Sequence, residues 1–156
     1  MKPRHFALCL IGLLLIDHYF AQFLAALFIG HYSFPDALQD AYRFFSVQGY
    51  LFFTGFRLIP YSVLISALII LNKSNRKNWI EPTFWGGFAG ILAFMIWAMS
   101  EVFRPLYTNV HMSSTSAVAF IFIPLYSLAA AAAGMLIANG LYGAAKQLRK
   151  VYRDLG

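Results

Sequence analysis

Four long apolar runs dominate the sequence and decide its fold class. They cover residues 6–30, 50–71, 82–103 and 116–142. At about 1.5 Å per helical residue, each run is long enough to cross the hydrocarbon core of a bilayer, which is about 30 Å thick. Hydrophobic residues make up 60% of the 156-residue chain and charged residues only 12%, more apolar surface than a soluble domain of this size can bury. We therefore predict an all-α, polytopic membrane protein, a four-transmembrane-helix bundle that forms a single integral membrane domain.

The positions of the basic residues predict the topology. Nine of the 12 Lys and Arg residues lie before the first run, between the second and third, or in the tail at 143–156. By the positive-inside rule, both termini are expected to be cytoplasmic. The net charge of +6 is thus read as a topology signal, and no nucleic-acid binding is predicted. The compact chain with short loops suggests a multi-pass protein of a bacterial inner membrane.

The segment between the first two runs has the pattern of a helix. Ser33 suits an N-cap and Pro35 the first helical turn, and apolar residues then recur at helical spacing from Phe34 and Leu38 onward. An amphipathic helix beside a transmembrane segment tends to lie at the membrane surface. We predict a short interfacial helix over 34–47 on the outer side.

Charged side chains within the apolar runs are the main functional clue. Asp17 lies near the middle of the first run and Arg57 in the second, and a central charge costs about 2.5 to 3.5 kcal/mol in a transmembrane helix. A buried Asp17–Arg57 ion pair is the simplest prediction, with Arg57–Glu101 as the alternative. Polar side chains on the same or neighbouring faces complete the predicted intramembrane network: His18, Gln22, Thr54, Tyr61 and Tyr126.

Small residues in the third and fourth runs indicate close helix packing. Gly86 and Gly90 form a GxxxG pattern, and Ala130 and Gly134 lie in a run of small residues. Such residues let helix backbones approach one another closely. We predict that they serve helix packing and support self-association or association with a partner membrane protein.

Three classes of function are compatible with this pattern. The favoured hypothesis is a noncatalytic oligomeric or partner-binding subunit or sensor, such as a bacterial immunity or defence component, whose basic tail meets anionic lipid or a cytosolic partner. The alternative is an oligomeric channel or transporter for an ion, proton or small molecule that uses Asp17 and His18. An enzyme is not expected, because the spanning runs contain only two carboxylates, at different depths, and the histidines are scattered. No catalytic residue, metal site or cofactor is predicted.

Overall fold

The computed structural model describes residues 2–108 and 116–155, and in this part of the chain all regular structure is helical. Residue 156 of the predicted tail lies outside it. The helices are listed here in chain order: α1 (Pro3–Leu15), α2 (His18–Phe28), α3 (Phe34–Tyr42), α4 (Val47–Lys73), a 3-10 helix (Lys77–Trp79), α5 (Ile80–Tyr107) and α6 (Ser116–Leu155). The all-α prediction is confirmed.

Three helical segments are long and apolar enough to cross a membrane. They are Val47–Lys73, Lys77–Tyr107 and Val118–Tyr152. The predicted second and third runs lie within the first two of these segments, and the predicted fourth run, 116–142, lies within α6 and overlaps the third from residue 118. Each of α4, α5 and α6 extends beyond the predicted bounds. The structure is thus that of a membrane-embedded, multi-pass protein.

The predicted continuous helix over 6–30 is broken. It consists of α1 and α2, which meet at an angle of 65° across Ile16 and Asp17. The pair is long and apolar enough to form a further span if its two halves cross together. The break follows from Asp17, which has extended backbone geometry and acts as the N-cap of α2. Asp17 therefore starts a helix and does not lie within one, as the predicted continuous helix over 6–30 required.

The α3 helix is shorter than predicted. Ser33 accepts a hydrogen bond from the Asp36 N–H at 3.4 Å, as an N-cap does, but the helix ends at Tyr42 and not at residue 47. The reason is a second cap, because the Ser46 hydroxyl accepts from the Gly49 N–H and starts α4 at Val47. The buried face of α3 is formed by Ala37 and Ala41.

The most extensive interface in the molecule joins α5 and α6. Gly86 lies against Gly134, and a Cβ placed on Gly86 would overlap the carbonyl of Gly134. Gly90 makes the same kind of approach to the backbone of Ala130. These four small residues are therefore used within one chain, where they bring α5 and α6 into backbone contact.

Side chains from five helices, α1, α2, α4, α5 and α6, fill the core. Leu64, Phe84, Ile91 and Met95 are fully buried there. The bundle has two ends. The start of α1, the end of α4 and the start of α5 meet at what we call the amino-terminal end, and α3 covers the opposite, α3 end. Past Tyr142, which contacts Trp79 at the amino-terminal end, α6 continues as a helix to Leu155.

Candidate functional site

The break between α1 and α2 is where the buried charges meet the backbone. Arg57, on α4, is 1% exposed, and its Nη1 donates to the carbonyl oxygens of Leu13 at 3.0 Å and Ile16 at 2.7 Å. Its Nη2 donates to the Thr54 hydroxyl at 2.7 Å, which in turn donates to the Tyr50 carbonyl. The guanidinium thus binds the last turn of α1.

The other carbonyls at the end of α1 also have donors. The Tyr50 hydroxyl donates to the Leu14 carbonyl at 2.8 Å, and the Asp17 N–H donates to the Leu15 carbonyl at 3.1 Å. The final carbonyls of a helix lack partners within the helix, and an unpaired one is costly in a bilayer. Each carbonyl over residues 13–16 is therefore satisfied, mostly by the stripe of polar side chains on α4.

Asp17 binds the other side of the break, at the start of α2. Its side chain is nearly buried, and Oδ1 accepts a hydrogen bond from the Phe20 N–H at 2.7 Å. In an unbroken helix that N–H would donate to the Ile16 carbonyl. Asp17 takes the freed donor and Arg57 takes the freed acceptor, so the two charged groups together replace one missing backbone hydrogen bond.

The predicted direct ion pair is not formed. Within the described part of the chain, no Arg57 nitrogen lies within 4.0 Å of an Asp17 oxygen. The physical reason is the break itself, because the carbonyls that it exposes lie within reach of the guanidinium. The alternative pairing with Glu101 is not formed either, since Glu101 pairs with Arg104 at 3.2 Å on the exposed surface.

His18 lies beside the break among aromatic rings. Its ring centroid is 3.9 Å from that of Tyr19, 5.0 Å from Phe53 and 5.8 Å from Phe120. Its Nδ1 is buried and has no hydrogen-bond partner among the described residues. His18 is thus enclosed by apolar ring surfaces and contributes no hydrogen bond through Nδ1 to the Asp17–Arg57 arrangement.

Gln22 belongs to a separate cluster at the α3 end. Its Nε2 lies 3.4 Å from the carbonyl and the carboxylate of Asp40, and the Tyr107 hydroxyl donates to the same carboxylate at 2.5 Å. This cluster joins α2, α3 and α5. Nearby, partial burial raises the pKa of the Tyr42 phenol, whose ring stacks on Tyr19 at 5.5 Å.

The two remaining predicted network residues are Tyr61 and Tyr126, and neither is hydrogen-bonded to the break in the described part of the chain. Tyr61 is fully buried, its hydroxyl has no hydrogen-bond partner among the described residues, and a Cβ on Gly12 would lie 3.0 Å from it. Tyr126 is 63% exposed on α6, so it cannot complete a buried network. The structure brings together Asp17, Thr54 and Arg57, with Tyr61 one turn further along α4 and beside Gly12 of α1. It leaves Gln22, Glu101 and Tyr126 elsewhere.

Sequence reasoning missed an ionic cluster at the amino-terminal end. Glu81, in the first turn of α5, is bound by Lys2 at 2.9 Å and by Arg4 at 2.6 Å. The Nε2 of His5, a fully buried residue, lies 3.4 Å from the same carboxylate. A carboxylate in the first turn of a helix is favoured by the helix dipole. The partners of Glu81, however, are residues 2, 4 and 5, at least 76 positions earlier in the chain. A pattern along one helix does not indicate contacts between residues so far apart in the sequence.

The arrangement at the break can hold two helix ends in register but offers no reactive pair. A nucleophile with a base, or two facing carboxylates, would be needed for hydrolysis. Here the one carboxylate and the one guanidinium are both occupied by backbone groups.

Comparisons with models of protein families, with curated proteins and with solved structures found no match to this chain.

Proposed function

We propose that the chain is a noncatalytic, four-span membrane subunit that binds a partner through the cytoplasmic extension of α6. The bent pair α1 and α2 would form the first span, and both termini would lie in the cytoplasm. The distribution of basic residues at the amino-terminal end supports this orientation. The helix α3 would then lie at the outer membrane surface, as its exposed Phe34 and Leu38 favour.

The main support for a structural role of the break is that its backbone groups already have hydrogen-bond partners within the chain. In transporters, interrupted helices leave backbone groups free to bind substrate or ions. Here the carbonyls over residues 13–16 and the Phe20 N–H all have partners from the chain. A ligand at this point would have to displace Arg57 or Asp17. A structural role for the two charged side chains accounts for the geometry without a ligand.

The case for a partner rests on α6. Its 40 residues measure about 60 Å at about 1.5 Å each, about twice the thickness of the bilayer core. The small residues that were expected to serve association are used between α5 and α6, so an association surface has to lie elsewhere. On the extension, Leu148 and Tyr152 are 61% and 78% exposed and lie among basic residues. An acidic partner with an apolar stripe complements this surface.

The second candidate function is transport of an ion, proton or small molecule. The bend between α1 and α2 favours it, as does the His18 Nδ1, which has no hydrogen-bond partner in the part of the chain that the structure describes. It requires the break to open, and it would make Asp17 essential. Only transport predicts a flux that depends on the Asp17 carboxylate, so a flux measurement separates the two functions.

The test combines flux with crosslinking. Purified protein in liposomes is assayed for pH- and voltage-driven flux, with Asp17→Asn as the control. A photoreactive residue at Tyr152 in cells is compared with one at Phe28, which is equally exposed but lies near the α3 end. We expect no flux and one discrete adduct from position 152, lost in Leu148→Asp. Flux that Asp17→Asn abolishes, or absence of the adduct, would overturn the proposal.

A further inference from the structure

A polar cavity of about 220 Å³ opens at the amino-terminal end of the bundle, away from the break. It lies where α1 begins, α4 ends and α5 begins. Six residues line it: Lys2, His5, Asn72, Lys77, Ile80 and Glu81. Neither the break nor the α6 extension uses this cavity.

The charge around the cavity is positive overall. Glu81 is the single carboxylate in its lining, and it already binds Lys2 through Oε1 and Arg4 through Oε2. Among the ion pairs of the described residues, none includes Lys77. Lys2 and Arg4 share one carboxylate, so one of their two positive charges is not neutralised by it. That charge and Lys77 can bind an anion, and the Asn72 amide can donate a hydrogen bond.

Two further features of the cavity suit an anion. Helices α1 and α5 both start beside it, which places the positive ends of their dipoles at the cavity. Neither helix start has a side-chain N-cap. The wall includes His5, which is fully buried; its Nε2 lies 3.4 Å from the Glu81 carboxylate, and its Nδ1 has no hydrogen-bond partner among the described residues. A buried polar group without a partner is rare in a folded protein and marks a place where a ligand atom can bind.

We propose that this cavity binds a phosphate group, either of an anionic lipid headgroup or of free phosphate. Lys77 and Lys2 supply the charge and Asn72 donates a hydrogen bond, whereas Glu81 competes with the phosphate for Lys2 and Arg4. Basic pockets between transmembrane helices at the cytoplasmic face bind such headgroups. The proposal does not depend on the partner proposed for α6.

Native mass spectrometry of the full chain tests this site with three probes: phosphatidylglycerol, phosphatidylcholine and inorganic phosphate. Lys77→Gln is compared with Lys73→Gln, a matched cation at the end of α4 that does not line the cavity. One basic contact near a membrane surface corresponds to about a fivefold change in binding. We expect Lys77→Gln to weaken phosphatidylglycerol retention about fivefold, with Lys73→Gln close to wild type.

The variant Glu81→Gln gives a test of opposite sign. It removes the one negative charge and releases Lys2 and Arg4, so a phosphate site should bind more tightly, whereas a purely structural salt bridge would give no gain. Binding of inorganic phosphate on its own identifies free phosphate as a ligand, and retention of phosphatidylglycerol without binding of inorganic phosphate identifies the lipid headgroup. Equal retention of the two lipids with no phosphate binding, or equal effects of Lys77→Gln and Lys73→Gln, would refute the site. Size-exclusion profiles confirm that each variant is folded.

Discussion

Replacing Arg57 by Met tests the role of the guanidinium at the break. The substitution removes the two hydrogen bonds to the Leu13 and Ile16 carbonyls and keeps an unbranched side chain in the core. Thr54 loses a donor but still donates to the Tyr50 carbonyl, so its loss is small. The main effect is two carbonyls left without donors in a buried site.

The size of the effect follows from those two bonds. Hydrogen bonds between transmembrane helices contribute about 0.6 kcal/mol on average and about 1.7 at most, and bonds from charged donors in soluble proteins about 1.5 to 3. Removing the buried charge itself relieves part of the loss. We expect Arg57→Met to lower the free energy of unfolding by about 2 kcal/mol.

The assay is reversible unfolding in bicelles, with Ser62→Ala as the matched control. Ser62 is also on α4, and among the described residues its hydroxyl bonds only within its own helix, to the Leu58 carbonyl. A second readout is the distance between spin labels at Phe6 and Phe28, which are 57% and 74% exposed and lie on the two sides of the 65° bend. Arg57→Met should broaden the distance distribution.

Two results would refute this reasoning. One is that Arg57→Met has the same stability and the same label distances as the Ser62→Ala control. The other is recovery of stability in the charge-swapped double variant of Asp17→Arg and Arg57→Asp. A carboxylate at position 57 would face the Leu13 and Ile16 carbonyls, acceptor against acceptor, so recovery is expected only if the two side chains pair directly.

Three further predictions follow from the described contacts. Asp17→Ala removes the N-cap bond to Phe20 and should destabilise the protein by about 1 kcal/mol, whereas Asp17→Asn keeps a capping oxygen and should be nearly neutral in the same unfolding assay. Gly86→Ala places a Cβ against the backbone of α6 and should lower the thermal unfolding midpoint. Gly55→Ala, with open space around it, should leave the midpoint unchanged or raise it. Cys9 is 3% exposed, so it should resist a membrane-permeant maleimide in the folded protein and react fully in denaturing detergent. Rapid labelling in the folded state would contradict its buried position.

The sequence was sufficient for the helical class and for three segments long and apolar enough to cross a membrane, because long apolar runs have few other solutions. It also indicated that Thr54 and Arg57 share one face of α4, since their spacing is helical. The break at Asp17 escaped prediction for a specific reason. An Asp within an apolar run has two physical solutions, a charged partner or a cap, and composition favours neither.

The partners of the side chains were harder to predict than the helices. Arg57 binds carbonyl oxygens, which every residue carries, so no side-chain pattern points to them. The Gln22–Asp40–Tyr107 cluster and the Glu81 cluster each join helices far apart in the chain. Contacts of that kind depend on how the helices pack, and the pattern along one helix does not contain that information.

The contact between Arg57 and the end of α1 has a consequence for biosynthesis. Leu13 and Arg57 are separated by 44 positions, so the donor for the α1 carbonyls is synthesised only after both α2 and α3. Until then the nascent segment carries Asp17, which alone costs about 2.5 to 3.5 kcal/mol on insertion, and an unsatisfied helix end. The first segment should therefore stay within the insertion machinery until α4 arrives, and the two should enter the lipid as a unit.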